Sequence, residues 1–338
     1  MGNITIKLLA KELNLSTAAI SKALRDSHDI SAVTKQRVLA LAAKLDYTPN
    51  PYAGSLRRKK SKTIAVVLPE VADSFFSLAI NGIEEVAIEK GYHVLIYLSH
   101  ENFIREKAIL KDFQSGRVDG VLLSISAETN DIQHIQDLCN KDVPLVFFDR
   151  VCNDIPTAKI TTNDYESGYA ATQHLIDNGC RNIALLSISN SLAISNKRME
   201  GYQQALKDNG IEYDAANHLL CSNDVLKNNE EIKKILLRKK RPDGVIATVE
   251  KLTTAIYLVC KELQLNIPNQ IKVISFSNQA SANILNPSLT TITQPAFDMG
   301  KAAASILFKA LEKKNFILKN ESLVIPSTLT IRESSTNS

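Results

Sequence analysis

Thr17, Ala18, Ser21, Lys22 and Arg25 recur at helical spacing on one side of a short segment, and no acidic residue stands among them. A face that is small, polar and basic fits a DNA major groove, where methyls, a hydroxyl and an ammonium meet base edges. Helical hairpins in general show such spacing, so the pattern alone does not decide the matter. A second set suits different chemistry. Asp73, Phe75, Ser124, Asp149, Arg150, Arg198, Glu250, Ser277 and Gln294 fall at or beyond the ends of runs that read as β-strands. Carboxylate, guanidinium and amide groups around an aromatic face suit a hydroxyl-rich ligand such as a sugar, because each hydroxyl needs a partner once water leaves. Plainer roles stay open: Asp149 and Arg150 could pair with each other, Arg198 could cap or brace a helix, and Phe76 could be core.

The first set needs two helices and a tight turn. Ile6, Leu9, Ala10 and Leu13 form one apolar stripe, with Thr5 placed to cap its start. Asn14 tolerates the left-handed backbone of a sharp turn, Leu15 points inward, and Ser16 is an N-cap for a second helix with Ala19, Ile20, Ala23 and Leu24 inside. A third helix fits 31–45, with Val38, Leu41, Ala42 and Leu45 closing a three-helix core. The segment 51–62 then carries Arg57, Arg58, Lys59, Lys60 and Lys62, suited to a phosphate backbone or to a solvated linker.

The second set needs strands alternating with helices. Strand-like runs at 63–69, 93–99, 120–126, 144–149 and 159–163 are separated by helical patterns at 77–89, 103–115 and 132–139. A second series follows: helices at 165–178, 198–209, 230–237 and 252–263, with strands at 183–189, 218–221, 244–249 and 271–277. Two α/β lobes with parallel sheets are implied, and such sheets bind ligands at the carboxyl ends of their strands.

Bulk properties agree. Residues 1–62 hold twelve Lys and Arg against four acids, a balance of +8, which leaves −4 for the rest of a chain of 338 residues and net charge +4. A basic head on a mildly acidic body argues for nucleic acid at one end only. Cys139, Cys152, Cys180, Cys221 and Cys260 are odd in number and far apart, with no metal-ligand spacing, as in a reduced cytosolic protein. Lys7, Lys11 and Glu12 interrupt any signal-peptide core, and no apolar run approaches membrane length, so a cytoplasmic protein with no membrane partner is expected. GxGxxG, GxxxxGK[ST], GxSxG and HExxH are all missing, so no catalytic residue, metal or cofactor is assigned and no enzyme is expected.

The runs ITIKLLAKELNLSTAAISKALR and TKQRVLALAAKLDYTPNPYAGSLR, followed by an α/β region opening KTIAVVLP, resemble the lac repressor/galactose repressor family of bacterial transcription regulators over almost the whole chain. The resemblance implies an all-α helix-turn-helix headpiece at 1–50 and a hinge helix and basic linker at 51–62. A two-lobed, periplasmic-binding-protein-like body then occupies 63–335. It places lobe one at about 63–162 and 293–322, and lobe two at about 163–292 and 323–332. It puts Thr17, Ala18 and Lys22 on base-reading positions, with Ser16 and Ser21 toward phosphates. Ala53 and Leu56 match the hinge, where paired leucines of a dimer wedge into the minor groove, and Gly54 weakens that helix off DNA. Asp149 of FFDR, Arg198 of NKRMEGY, Gln294 of TITQP and the loop DSFF match places where relatives contact effectors. Two departures stand out: Val249 and Glu250 replace Asn-Asp, and Ser277-Asn278 replaces the usual Asp-containing pair, moving groups that commonly grip a sugar. The chain ends IRESSTNS with no leucine heptads, so a homodimer on a pseudo-palindromic operator is expected, its affinity set by a small-molecule effector. A two-lobed sugar binder with no transcriptional role is the alternative.

Overall fold

A computed structural model of the chain describes residues 4–47, 61–313 and 315–336, in two units, Met1–Ser61 and Lys62–Ser338. Ala53, Gly54, Leu56 and Arg57 of the expected hinge lie outside the described residues.

Among its described residues the first unit holds three helices, α1 (Ile6–Leu13), α2 (Thr17–Ala23) and α3 (Ala32–Lys44). Asn14 takes the left-handed conformation at φ 49° and ends α1. Ser16 and Ser31 cap the other two, accepting from Ala19 N–H at 3.1 Å and Thr34 N–H at 3.3 Å. Thr5 departs from expectation, since its side chain makes no capping bond. Leu9, Ala10, Ile20, Ala23, Val38 and Ala42 are buried together as the core among the described residues.

In the second unit the chain runs β1 (Thr63–Leu68), α4 (Ser74–Glu89), β2 (His93–Leu98), α5 (Phe103–Phe113), β3 (Gly120–Leu123), α6 (Gln133–Cys139), β4 (Leu145–Phe148) and β5 (Lys159–Thr161). Next come α7 (Asp164–Asp177), β6 (Ile183–Ser187), α8 (Ala193–Asp208), β7 (His218–Leu220), α9 (Val225–Leu236), β8 (Gly244–Ala247), α10 (Lys251–Glu262), β9 (Lys272–Phe276) and β10 (Thr290–Thr293). α11 (Ala296–Glu312), β11 (Leu323–Val324) and β12 (Thr328–Thr330) complete it. The strands form two six-stranded sheets, β11-β5-β4-β3-β1-β2 and β12-β10-β9-β8-β6-β7. Every pairing is parallel except β10 with β12. Central strands such as β1 are buried along their whole length, as strands covered by helices on both faces must be. This is the two-lobed α/β architecture expected from the alternation of runs.

The chain passes between sheets after Thr161, after Thr293, and between Val324 and Thr328. The last passage corrects the expected boundary. Leu323–Val324, expected in the second lobe, pairs with β5 of the first. Two residues are too short to show an alternation that would have placed them. Helix starts differ for a similar reason. α4 opens three residues before its expected start because Asp73 accepts from Phe75 N–H at 2.9 Å, and α9 opens early because Asp224 accepts from Lys227 N–H at 3.1 Å.

Two helix pairs cross at backbone distance. A Cβ built on Gly300 would lie 2.0 Å from the Ala79 carbonyl oxygen, and one on Gly82 2.1 Å from that of Phe297, so α4 and α11 need glycine where they touch. Gly168 and Gly201 do the same for α7 and α8. Gly300→Ala is expected to cost about 1–3 kcal/mol, measured by urea unfolding of the full chain.

Candidate functional site

In the headpiece, α2 turns Ile20 and Ala23 inward and leaves Thr17, Ala18, Lys22 and Arg25 exposed, with Ser21 half-buried. Ser16 is engaged as the cap, and Thr5 is exposed. The sequence showed no acid on this face, but the loop after α2 brings one: Asp29 Oδ2 lies 2.7 Å from Lys22 Nζ. The hydrogen bond from Lys22 holds the Asp29 carboxyl below its usual range. Both partners are exposed, so the pair is screened by salt and readily exchanged for another anion. Arg25 Nε donates to the Ser21 carbonyl at 2.9 Å, which fixes the guanidinium at the end of the helix.

In the body, the loops beyond β1, β4, β8, β9 and β10 converge on one cleft. Asp73, Phe75, Asp149, Arg150, Arg198, Glu250, Ser277 and Gln294 line it together, with Phe76, Ile194, Thr248, Val249, Phe276 and Asn278. Ser124 does not; it sits behind the wall, fully buried, and its hydroxyl donates to Asp149 Oδ2 at 3.5 Å. Asp149 has φ 60°, a left-handed conformation that an aspartate tolerates and that is typical of sites holding a side chain in place.

The arginines are braced by partners the sequence reading did not single out. Arg198 donates through Nε to Asp164 Oδ1 at 2.8 Å and through Nη1 to the Thr248 carbonyl at 2.5 Å, with its guanidinium 4.1 Å from the Phe276 ring centre. Arg150 Nη1 lies 2.8 Å from both Glu101 oxygens. Burial alone would raise Glu101, yet Arg150 and the Ala127 N–H bring it below its usual value. Asn278 pairs with the Gln294 backbone, donating to its carbonyl at 2.6 Å and accepting from its N–H at 3.3 Å. Glu101 stands just past the end of β2, so the strand-end rule could have found it. Asp164, inside the first turn of α7, carried no such signal.

The cleft is closed. Glu250 spans it, one carboxylate oxygen on Ser74 of the first lobe and the other on Ser277 and Asn278 of the second. At one edge, Leu192 and Ile194 of the second lobe pack with Ile125, Val151, Cys152 and Ile155 of the first. The space left inside is about 30 Å³, room for roughly one water. Three buried polar atoms in its walls have no hydrogen-bond partner: Arg150 Nε, Thr248 Oγ1 and Gln294 Nε2. Arg150 Nε is nonetheless ion-paired, 3.8 Å from Asp149 Oδ2, and the Gln294 side chain also acts on Asp149.

Burial, with Glu250 nearby, raises Asp73 to about 7, and burial raises Asp149 to about 6 against the pull of Arg150 and Arg198. Both carboxyls bind protons more tightly folded than unfolded, so their contribution to stability is fullest at low pH. It is lost as pH rises from about 4 through about 7. Asp73→Asn, which keeps the cap of α4, is expected to flatten that loss, read from urea midpoints at pH 5 and pH 7.5.

Among the described residues no helix is long and apolar enough to cross a membrane, and no three His, Cys, Asp or Glu side chains are placed to hold a metal ion.

Comparison with known proteins places these two units. Residues 5–50 match the model for bacterial regulatory proteins of the lacI family, and residues 172–335 match the periplasmic binding protein-like domain. Catabolite control protein A of Priestia megaterium is 27% identical over 338 residues, covering 98% of this chain and 99% of that protein. The lac repressor dimer bound to operator and the anti-inducer ONPF matches at TM-score 0.86 with 20% identity, over 99% of this chain and 100% of that one. A transcriptional regulator CelR–cellobiose complex matches at TM-score 0.74 with 22% identity, over 98% and 100%. The headpiece motif, the two-lobed body and relatives aligned from end to end agree: the chain carries the headpiece domain of the lacI family of bacterial regulatory proteins ahead of a periplasmic binding protein-like domain, and is similar to regulators of that family over almost its whole length.

Proposed function

We propose that this DNA-binding transcriptional regulator is a repressor that acts as a homodimer on a pseudo-palindromic operator and releases or grips it according to a small molecule held in the cleft. The reading rests above all on the outward face of α2. Thr17 and Ala18 offer methyls for thymine, and Lys22 offers an ammonium for guanine O6 and N7. For the cleft, the support is a set of convergent polar groups around Phe75, Phe76 and Phe276, several of them with an atom that makes no hydrogen bond. A hydroxyl-rich ligand of the sugar type satisfies both donors and acceptors there, and a relative of the same fold is described as a complex with cellobiose. Residues 51–58, with Ala53, Leu56 and Arg57, act as a hinge between headpiece and body, through which lobe closure and operator affinity are coupled.

A gel shift of the full chain against DNA upstream of its own and neighbouring genes, repeated with candidate sugars, tests this. Lys22→Ala is expected to cost about 1–3 kcal/mol of operator binding and to relax preference at one base position. Leu56→Ala in the same assay is expected to lose bending of the duplex. Unchanged binding and bending in both variants would count against the interface. A two-lobed binder with no transcriptional role has no use for the exposed face of α2.

A further inference from the structure

Glu250 is the group that fills the cleft, and the way it is held resembles the binding of a foreign anion. Oε1 accepts from the backbone N–H of Ser74 at 3.0 Å and from its hydroxyl at 2.7 Å. Oε2 accepts from the Ser277 hydroxyl at 2.8 Å and the Asn278 N–H at 3.0 Å. Each oxygen thus takes one backbone N–H and one hydroxyl, and each belongs to a different lobe. Ser74 opens the first turn of α4, a helix of sixteen residues whose free N–H groups and dipole favour negative charge. The walls add three atoms, on side chains more than nine-tenths buried, that make no hydrogen bond: Arg150 Nε and Gln294 Nε2, both turned toward Asp149 with Arg150 Nε 3.8 Å from its Oδ2, and Thr248 Oγ1. The first two can only donate.

We infer that Glu250 occupies the seat of an anionic group, and that the effector is an acidic small molecule, carrying a carboxylate or phosphate, which displaces the Glu250 side chain and takes over the donors of Ser74, Ser277 and Asn278. This rests on the reading of the cleft as the effector site. The remaining space of about 30 Å³ admits no such ligand while Glu250 is in place, so entry and displacement are one event. An acid group on the ligand can bridge the lobes as Glu250 does, its two oxygens accepting from all four groups at once. Asp73 and Asp149 stand nearby, and as carboxyls raised to about 7 and about 6 they take up protons readily when a further negative charge enters.

The test uses the full chain and two variants. Glu250→Ala removes about the volume of acetate, and Glu250→Gln keeps the side-chain volume and removes the charge. Thermal unfolding of Glu250→Ala is followed with acetate and with acetamide, its neutral isostere, at matched ionic strength. Acetate is expected to raise the midpoint saturably and acetamide not to. Calorimetric titration of the unsubstituted protein and of Glu250→Gln then compares gluconate and glucose 6-phosphate with glucose and glucosamine. The acidic probes are expected to bind about tenfold more tightly than the others, and more tightly still to Glu250→Gln, where no carboxylate must be displaced. Equal effects of acetate and acetamide, or tighter binding of glucose or glucosamine, would overturn the inference and leave the cleft as an effector site. If binding of any probe is unaffected by Gln294→Ala and Asp149→Ala, the cleft reading itself falls, and this inference with it.

Discussion

Arg198→Met is expected to destabilise the body by about 3–5 kcal/mol, because removing one partner leaves a buried charge uncompensated. Asp164 is 3% exposed and loses its 2.8 Å hydrogen bond to Arg198, while the Thr248 carbonyl loses its donor as well. Methionine replaces the aliphatic stem and much of the packing on Phe276 but supplies no donor. Urea unfolding of the full chain measures the loss. The double change Arg198→Met with Asp164→Leu is expected to recover most of it, since the orphaned carboxylate is then gone. Recovery would separate the brace from any role of Arg198 toward a ligand. A single variant that loses less than about 1 kcal/mol would show that water reaches Asp164 and that the pair is not a buried one.

Leu9→Ala is expected to cost about 2–5 kcal/mol, and here the scale of the unit decides the outcome. Among the described residues the buried core of the headpiece consists of six, three of them alanines, and Leu9 is fully buried among them. A unit this small has little stability to spare. The headpiece of Leu9→Ala is therefore expected to be unfolded at growth temperature, with operator binding abolished, while the body unfolds at its ordinary urea midpoint. Retained binding would mean that DNA supplies the folding energy. In that case the heat-capacity change of binding would grow more negative.

Much of this was legible in the sequence, for reasons that differ by element. The three headpiece helices could be read because Leu9, Ile20 and Val38 fall on helical stripes and Asn14, Ser16 and Ser31 punctuate them. The cleft residues were reachable from a rule of topology, since ligand-facing side chains in parallel sheets follow strand ends. That rule gathered Asp73, Asp149, Glu250, Ser277 and Gln294 from far-apart stretches of chain onto one cleft. It failed for Ser124, whose hydroxyl turns toward Asp149 and away from the cleft. It was silent on Asp164, whose contact with Arg198 joins residues 34 apart on two crossing helices. The Asp29 contact to Lys22 and the reach of Glu250 to Ser74, 176 residues distant, depend on loop paths and side-chain rotamers that no periodicity encodes.

The account stands on the headpiece recognising duplex DNA by sequence and the body governing that grip. The most direct measurement is the dissociation constant of the purified full chain for duplex taken from upstream of its own gene, set against scrambled duplex of the same composition. It is made at moderate ionic strength, with and without a panel of neutral and acidic sugars. The account predicts that one genomic fragment is preferred by about a thousandfold or more, and that at least one ligand of the cleft shifts that constant while leaving the scrambled duplex unaffected. Equal affinity for both duplexes under every condition would contradict it.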